Sequence, residues 1–351
     1  MYRYLIILGM LGLLQRLPSA IAETEEQAKV KVSNIRRVFH NGEHNAFTDL
    51  IRFQDQFFLC FRSCPDGHGV NASASVIVLT SPNARDWMPI HQFSVAGRDT
   101  RDPHFLIFKD RLFLYTGTWY DSPDKQYDLN EHLGYAVWSS DGKRWSRPIP
   151  LEGTFGHYIW KASTFDGKAF LCGRRKTHFR VGPKGEGKDV ESAMLESNDG
   201  LIWRHRTLFQ ETTGDETAFL FEPDGSIMAI GRRGSHTAQL CLSSPPYQEW
   251  IRHDLDRYIG GPLLARWGSR FVVGGRKFTP DRGPKTSMCW LIDGQLSEFA
   301  ELPSAGDNSY PGFVALSPSK ALMSWYSTHE KDPEGQAITA IYMANLELRS
   351  N

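Results

Sequence analysis

Apolar residues fall along this chain in short runs, at 76–79, 135–138, 193–195 and 238–242. Each run leads to a serine followed six residues later by a tryptophan: Ser81 and Trp87, Ser139 and Trp145, Ser197 and Trp203, Ser244 and Trp250. Two copies hold an Asp-Gly pair inside the motif, Asp141-Gly142 and Asp199-Gly200, and the others carry Pro-Asn and Pro-Pro there. An apolar run, a turn and an aromatic residue read as a β-hairpin. Upstream of each lies a second hairpin, first at 48–62 around Gln54-Asp55, then at 102–118, 161–175, 216–233, 262–276 and 310–327. No stretch carries a helical period long enough to compete.

The pattern predicts six four-stranded units starting near residues 49, 102, 161, 216, 262 and 310. Units of about 40–50 residues with four strands are propeller blades. The expected fold is all-β: a single six-bladed β-propeller of four-stranded antiparallel blades over 30–351. Five blades plus an irregular unit is the other count the spacing allows. The run Val30–Phe39 is expected to add the outer strand of the last blade, beside 337–348, and so tie the ends of the chain together.

Composition narrows the function. The chain has 40 Lys+Arg against 40 Asp+Glu, so nucleic acid and anionic membrane are not expected partners. Arg3, an apolar run at 5–14 and Ala20-Ile21-Ala22 read as a secretory signal over 1–22, too short for a stable membrane span. The expected product is secreted or periplasmic, monomeric, and begins near Glu23. Five cysteines, Cys60, Cys64, Cys172, Cys241 and Cys289, lie mostly inside apolar runs and read as buried core rather than a disulfide framework. No CxxC or HExxH pattern is present, and no metal or cofactor is expected.

In a propeller the innermost strand of each blade lines the channel, and its start and the end of the second strand meet at one mouth. The first-strand starts are Asp49, Asp102 with His104, Lys161, Glu216, Pro262 and Tyr310. The second-strand ends are Arg62, Thr118, Arg174 or Arg175, Arg232 or Arg233, Arg276, and Ser327 with His329. Arginines gathered at one mouth repel one another, and a shared anion would explain them, since the planar fork binds carboxylate bidentately. Salt bridges between blades are the plainer explanation for any one of them. Histidines 104, 157, 178, 236 and 329 read as hydrogen-bonding partners. Trp119, Tyr120 and Tyr158 could stack on a sugar ring, although packing between blades explains them equally.

These residues resemble the sialidases, which are six-bladed propellers with related Ser-x-Asp turns. The resemblance is most specific in the fourth unit, Glu216, Asp224-Gly225 and Arg232, followed by Arg276 and by Asp307-Asn308-Ser309-Tyr310. It implies Tyr310 as nucleophile, Glu216 as its base, Asp66 (in Cys64-Pro65-Asp66-Gly67-His68-Gly69) as acid/base, and Arg232 and Arg276 as a carboxylate clamp, with a glycan or glycoconjugate as substrate. Two departures stand out. The turn motif is one residue shorter than the family's, and the family's first triad arginine is absent from Phe47-Thr48-Asp49-Leu50, so Arg62 or Arg174 would have to replace it. Arg101-Asp102-Pro103 also resembles arabinanase-like and invertase-like propellers, which cleave neutral sugars with carboxylates alone; here those would be Asp49, Asp102 and Glu216. A non-catalytic glycan-binding propeller is the third reading.

Overall fold

A computed structural model describes residues 28–125, 127–179 and 189–349; the signal segment expected over 1–22 lies outside them. The described residues form six four-stranded antiparallel sheets. The inner strands are His44–Phe53, Arg98–Phe108, Tyr158–Phe165, Thr217–Phe221, Gly260–Trp267 and Asn308–Ser317. Each inner strand touches the next, and the last touches the first, so the ring closes as a six-bladed propeller. Among the described residues no helix is long and apolar enough to cross a membrane.

Closure comes from the sixth blade. Its outer strand is Val30–Phe39, antiparallel to Ala337–Leu348, with Val30 opposite Leu348 and Phe39 opposite Ile341. Asn308 pairs with Ser327, and Ser327 with Ala340, so the Phe39 end of the seam lies at the mouth. Val30 and Leu348 lie at the opposite face.

The Ser…Trp motif works as a staple between blades. Asp141 Oδ1 accepts the backbone N–H groups of Lys143 and Arg144 at 2.9 and 2.8 Å, and Asp199 Oδ1 accepts those of Leu201 and Ile202 at 2.8 and 2.9 Å. Asn83 Oδ1 does the same for Arg85 and Asp86, so an amide suffices where the aspartate is missing. Three of the tryptophans, Trp145, Trp203 and Trp250, reach the preceding blade. Trp203 meets Tyr115 edge-on at 5.6 Å, and Trp250 meets Phe209 at 5.3 Å. Burying such rings contributes about 1.5–3 kcal/mol each. All five cysteines are buried and free.

One irregularity recurs where the inner strands open at the mouth. Register shifts leave two residues unpaired at 47–48, 102–103, 160–161, 261–262 and 310–311. These are β-bulges, which bend a strand and re-aim its side chains. Prolines 103, 262 and 311 occupy the second position of three of them, where no ladder hydrogen bond is lost. Phe47, Asp102, Gly261 and Tyr310 take the first position with φ of 64°, 52°, 60° and 51°. Left-handed backbone at three residues with a side chain costs about 1–3 kcal/mol each. That strain gathers at one mouth, where it aims three side chains at a common point.

Candidate active site at the propeller mouth

Tyr310 is the centre of the group. Its hydroxyl donates to Glu216 Oε1 at 2.7 Å in a buried setting. Glu216 Oε2 accepts from Arg232 Nη1 at 3.1 Å and from the Gly261 N–H at 3.0 Å. The Arg276 guanidinium stands 5.7 Å from the centre of the Tyr310 ring. Phe47, Trp160 and Tyr326 enclose that ring at 4.9, 5.2 and 5.8 Å. Burial, and then the charge of Glu216, push the phenol pKa well above 10, so Tyr310 is a neutral phenol aimed at a carboxylate.

The bulge of the second blade brings Asp102 beside this pair. It is 4% exposed, and its Oδ1 has no hydrogen-bond partner. Burial first, and Glu216 second, raise its pKa to about 8. Near neutral pH Asp102 therefore carries a proton while facing Glu216.

The arginines are each paired with a carboxylate of the protein, and Asp99 and Asp215 each serve two of them. Arg62 is fully buried and donates through Nε and Nη2 to Asp99 at 3.0 and 2.8 Å. Arg101 donates to the same Asp99. Arg174 pairs with Asp215 at 2.6 Å and lies over the Tyr158 ring. Arg232 bridges Asp215 and Glu216, and Arg276 pairs with Asp307 at 3.2 Å. Like-charge repulsion is thus relieved within the protein, and it no longer requires a bound anion. Arg232 and Arg276 both border Tyr310 and keep 23% and 17% of their side chains exposed. Arg62 and Arg174, the candidates to replace the missing first arginine, are both committed to buried carboxylates. The Arg101 guanidinium stands 5.8 Å from the Phe47 ring centre.

Asp49 and Lys161 are placed deeper than their strand positions suggested. The bulge at 47–48 sets Asp49 beyond the mouth, opposite Cys60. Its Oδ1 accepts from Lys161 Nζ at 2.7 Å, and its Oδ2 accepts the Phe105 N–H at 2.8 Å. Lys161, His104 and hydrogen bonds outweigh burial and hold Asp49 well below the usual carboxylate range. His104 stays neutral, its pKa lowered to about 4 by burial and then by Lys161. These three residues tie blades one, two and three together below the mouth. Trp119 packs on His132 and Tyr158 at 4.1 and 5.7 Å, an arrangement of inter-blade packing.

Asp66 is bonded within its own loop. Its carboxylate accepts from Ser73 Oγ at 2.6 Å. Two residues on, His68 Nδ1 lies 2.7 Å from Asp307 Oδ2, and His44 Nε2 lies 2.9 Å from the same oxygen. Asp307 Oδ1 accepts from Tyr326 Oη at 2.8 Å. The ligand atoms of His44, His68 and Asp307 lie within 4.8 Å of one another, and by type they could hold a divalent cation. The surroundings favour hydrogen bonding instead. Asp307 accepts from four donors, Arg276 stands on its other oxygen, and Arg62 Nη1 faces His44 Nδ1 at 3.4 Å. A metal-bound histidine needs an acceptor at that second nitrogen.

Sequence reasoning did not assign His44, His68, Asp99 or Asp307 to the site. His68 and Asp307 sit inside segments already singled out, beside Asp66 and Tyr310. Asp99 and His44 were not singled out because their far partners, Arg62 for one and Asp307 for the other, lie on other blades.

No protein-family model and no curated protein matches the chain. Solved structures do. A Dyadobacter fermentans protein of unknown function superposes with a TM-score of 0.74 at 18% identity, over 92% of this chain and 100% of that one. The phage phi92 endosialidase gives 0.66 at 10% identity, over 91% and 69%. Trypanosoma rangeli sialidase gives 0.61 at 12% identity, over 86% and 55%, so the chain spans little more than half the length of that enzyme. In fold the chain is a divergent sialidase-like propeller.

Proposed function

We propose that this propeller is an exported glycoside hydrolase that releases a terminal acidic sugar, with Tyr310 as nucleophile and Glu216 as its base. The observation that carries the reading is the 2.7 Å hydrogen bond from the Tyr310 hydroxyl to Glu216, with Arg232 and Arg276 beside it. An anomeric carbon that bears a carboxylate repels an anionic nucleophile. A neutral phenol avoids this, provided a base takes its proton as the bond forms. Sialidases with a tyrosine nucleophile are a known exception to two-carboxylate glycoside hydrolysis. Arg232 and Arg276 are the groups suited to the sugar carboxylate.

The carboxylate-only reading is weaker on one count. Asp49 has both oxygens committed to Lys161 and to the Phe105 amide. A glycan-binding propeller without turnover has no use for a phenol aimed at a buried carboxylate. The test is Tyr310→Phe against a panel of chromogenic glycosides of acidic and neutral sugars. Acidic glycosides should be cleaved, and the variant should keep its fold and lose several orders of magnitude in kcat. Cleavage of neutral pentosides or fructosides alone, abolished by Asp49→Asn, would overturn the reading in favour of the carboxylate mechanism. Binding without turnover would favour a lectin.

A further inference from the structure

We propose that His68 is the residue that delivers the proton to the leaving group at this mouth. The proposal rests on the reading of Tyr310 as nucleophile. A tyrosine and its base account for only half of a displacement, because the departing oxygen must be protonated as its bond to carbon breaks. The cleaved aglycone leaves toward solvent, so the donor has to stand on the open side. Asp102 is 4% exposed and lies beneath, and Asp66 is turned onto Ser73. The His68 side chain is 57% exposed, and its ring lies edge-on to Phe47 at 5.8 Å, with Phe47 in turn against Tyr310 at 4.9 Å.

His68 is also held as a proton-transfer group is held. Nδ1 faces Asp307 Oδ2 at 2.7 Å, which leaves Nε2 as the nitrogen for exchange. A carboxylate on Nδ1 fixes the tautomer and the orientation of the ring, as in a histidine–aspartate pair of a hydrolase. Asp307 is itself fixed by Tyr326 and Arg276. The backbone is pinned from the other side. Arg62 donates to the carbonyls of Gly67 and Gly69 at 3.0 and 2.9 Å. Arg101 donates to those of His68 and Gly69 at 3.1 and 2.9 Å. Three successive carbonyls of a surface loop are thus clamped by two guanidiniums that share Asp99.

In the first step the glycosidic C–O bond breaks as Tyr310 Oη bonds to the anomeric carbon. The phenol proton passes to Glu216, and His68, which enters the step protonated on both nitrogens, gives its Nε2 proton to the departing oxygen and is left neutral. In the second step neutral His68 accepts a proton from the attacking water, the Tyr310–carbon bond breaks, and Glu216 returns its proton to the phenolate.

The experiment compares His68→Gln with wild type on two glycosides of the same acidic sugar. One has an activated aryl leaving group that needs no proton, and the other an alkyl or sugar leaving group that does. The variant should lose about 100-fold or more in kcat on the second, and far less on the first. Asp66→Asn, measured alongside, should show no such split. Melting temperatures of both variants separate misfolding from chemistry. Equal losses on both glycosides in His68→Gln, or a leaving-group split in Asp66→Asn, would overturn the assignment. Turnover that depends on Tyr310 but not on His68 refutes the histidine alone. A wild-type protein that neither binds nor cleaves either glycoside refutes the nucleophile reading and this one with it.

Discussion

Replacing Asp99 by asparagine should destabilise the propeller more than Tyr310→Phe. The carboxylate is fully buried, and it accepts from Arg62 Nε and Nη2, from Arg101, and from the backbone N–H of Asn71 at 2.9 Å. An amide of the same shape keeps part of the hydrogen bonding but removes the charge. Two guanidiniums, one fully buried and one nearly so, are then left without their counter-ion. Removing one partner of a buried ion pair costs about 3–5 kcal/mol. At about 2 °C per kcal/mol for a domain of this size, the melting temperature should fall by about 6–10 °C. The pH dependence gives a second readout. Burial raises the pKa of Asp99, but Arg101 and Arg62 outweigh it, and the folded-state value lies below the ordinary one. A depressed carboxylate stabilises the fold above its unfolded pKa, near 3.9, and loses that contribution as pH falls through the folded value. The gap between wild type and Asp99→Asn should therefore be full near neutrality and narrow below about pH 4. Calorimetric scans from pH 3 to 8 measure it. A melting temperature within about 2 °C of wild type at pH 7, worth about 1 kcal/mol, would refute the idea that Asp99 anchors the two arginines.

Two further substitutions probe the centre of the mouth. Asp102 has a folded-state pKa raised to about 8, so the folded protein holds a proton that the unfolded chain releases, and stability is lost as pH rises from about 4 to about 8. Asp102→Asn tolerates the left-handed backbone and should remove that decline, melting above wild type at pH 8 and showing a smaller difference at pH 4 in the same scans. Gly261→Ala would put a Cβ 2.6 Å from the Tyr310 ring, on a residue whose N–H holds Glu216, so kcat should fall by at least tenfold while circular dichroism still reports an intact sheet.

The blades were legible because each is a local object. Paired apolar runs, a turn and a tryptophan recur within one unit, and the physics that makes the hairpin acts on neighbours in sequence. Tyr310, Glu216, Arg232 and Arg276 were legible for a related reason: strand starts and second-strand ends meet at one mouth whichever blade they belong to. Which carboxylate each cation meets across the blades was not legible. Arg62 finds Asp99 and Lys161 finds Asp49 through the closure of the ring, which no local pattern encodes. The bulges also escaped, and their effect is concrete. Two unpaired residues at 47–48 put Phe47 at the mouth and carry Asp49 below it, where counting from the strand start had set Asp49 at the mouth itself.

The seam of the sixth blade also sets which way the molecule faces its surroundings. Lys29 and Arg349 remain joined by a 2.9 Å backbone hydrogen bond just past the far end of that seam. Both ends of the described chain therefore emerge side by side on the face opposite Tyr310. A tag, a bead or a neighbouring domain fused at either end would sit behind the disc, leaving the mouth turned outward. The same layout suits the fold to display, because a single anchoring point orients every copy alike.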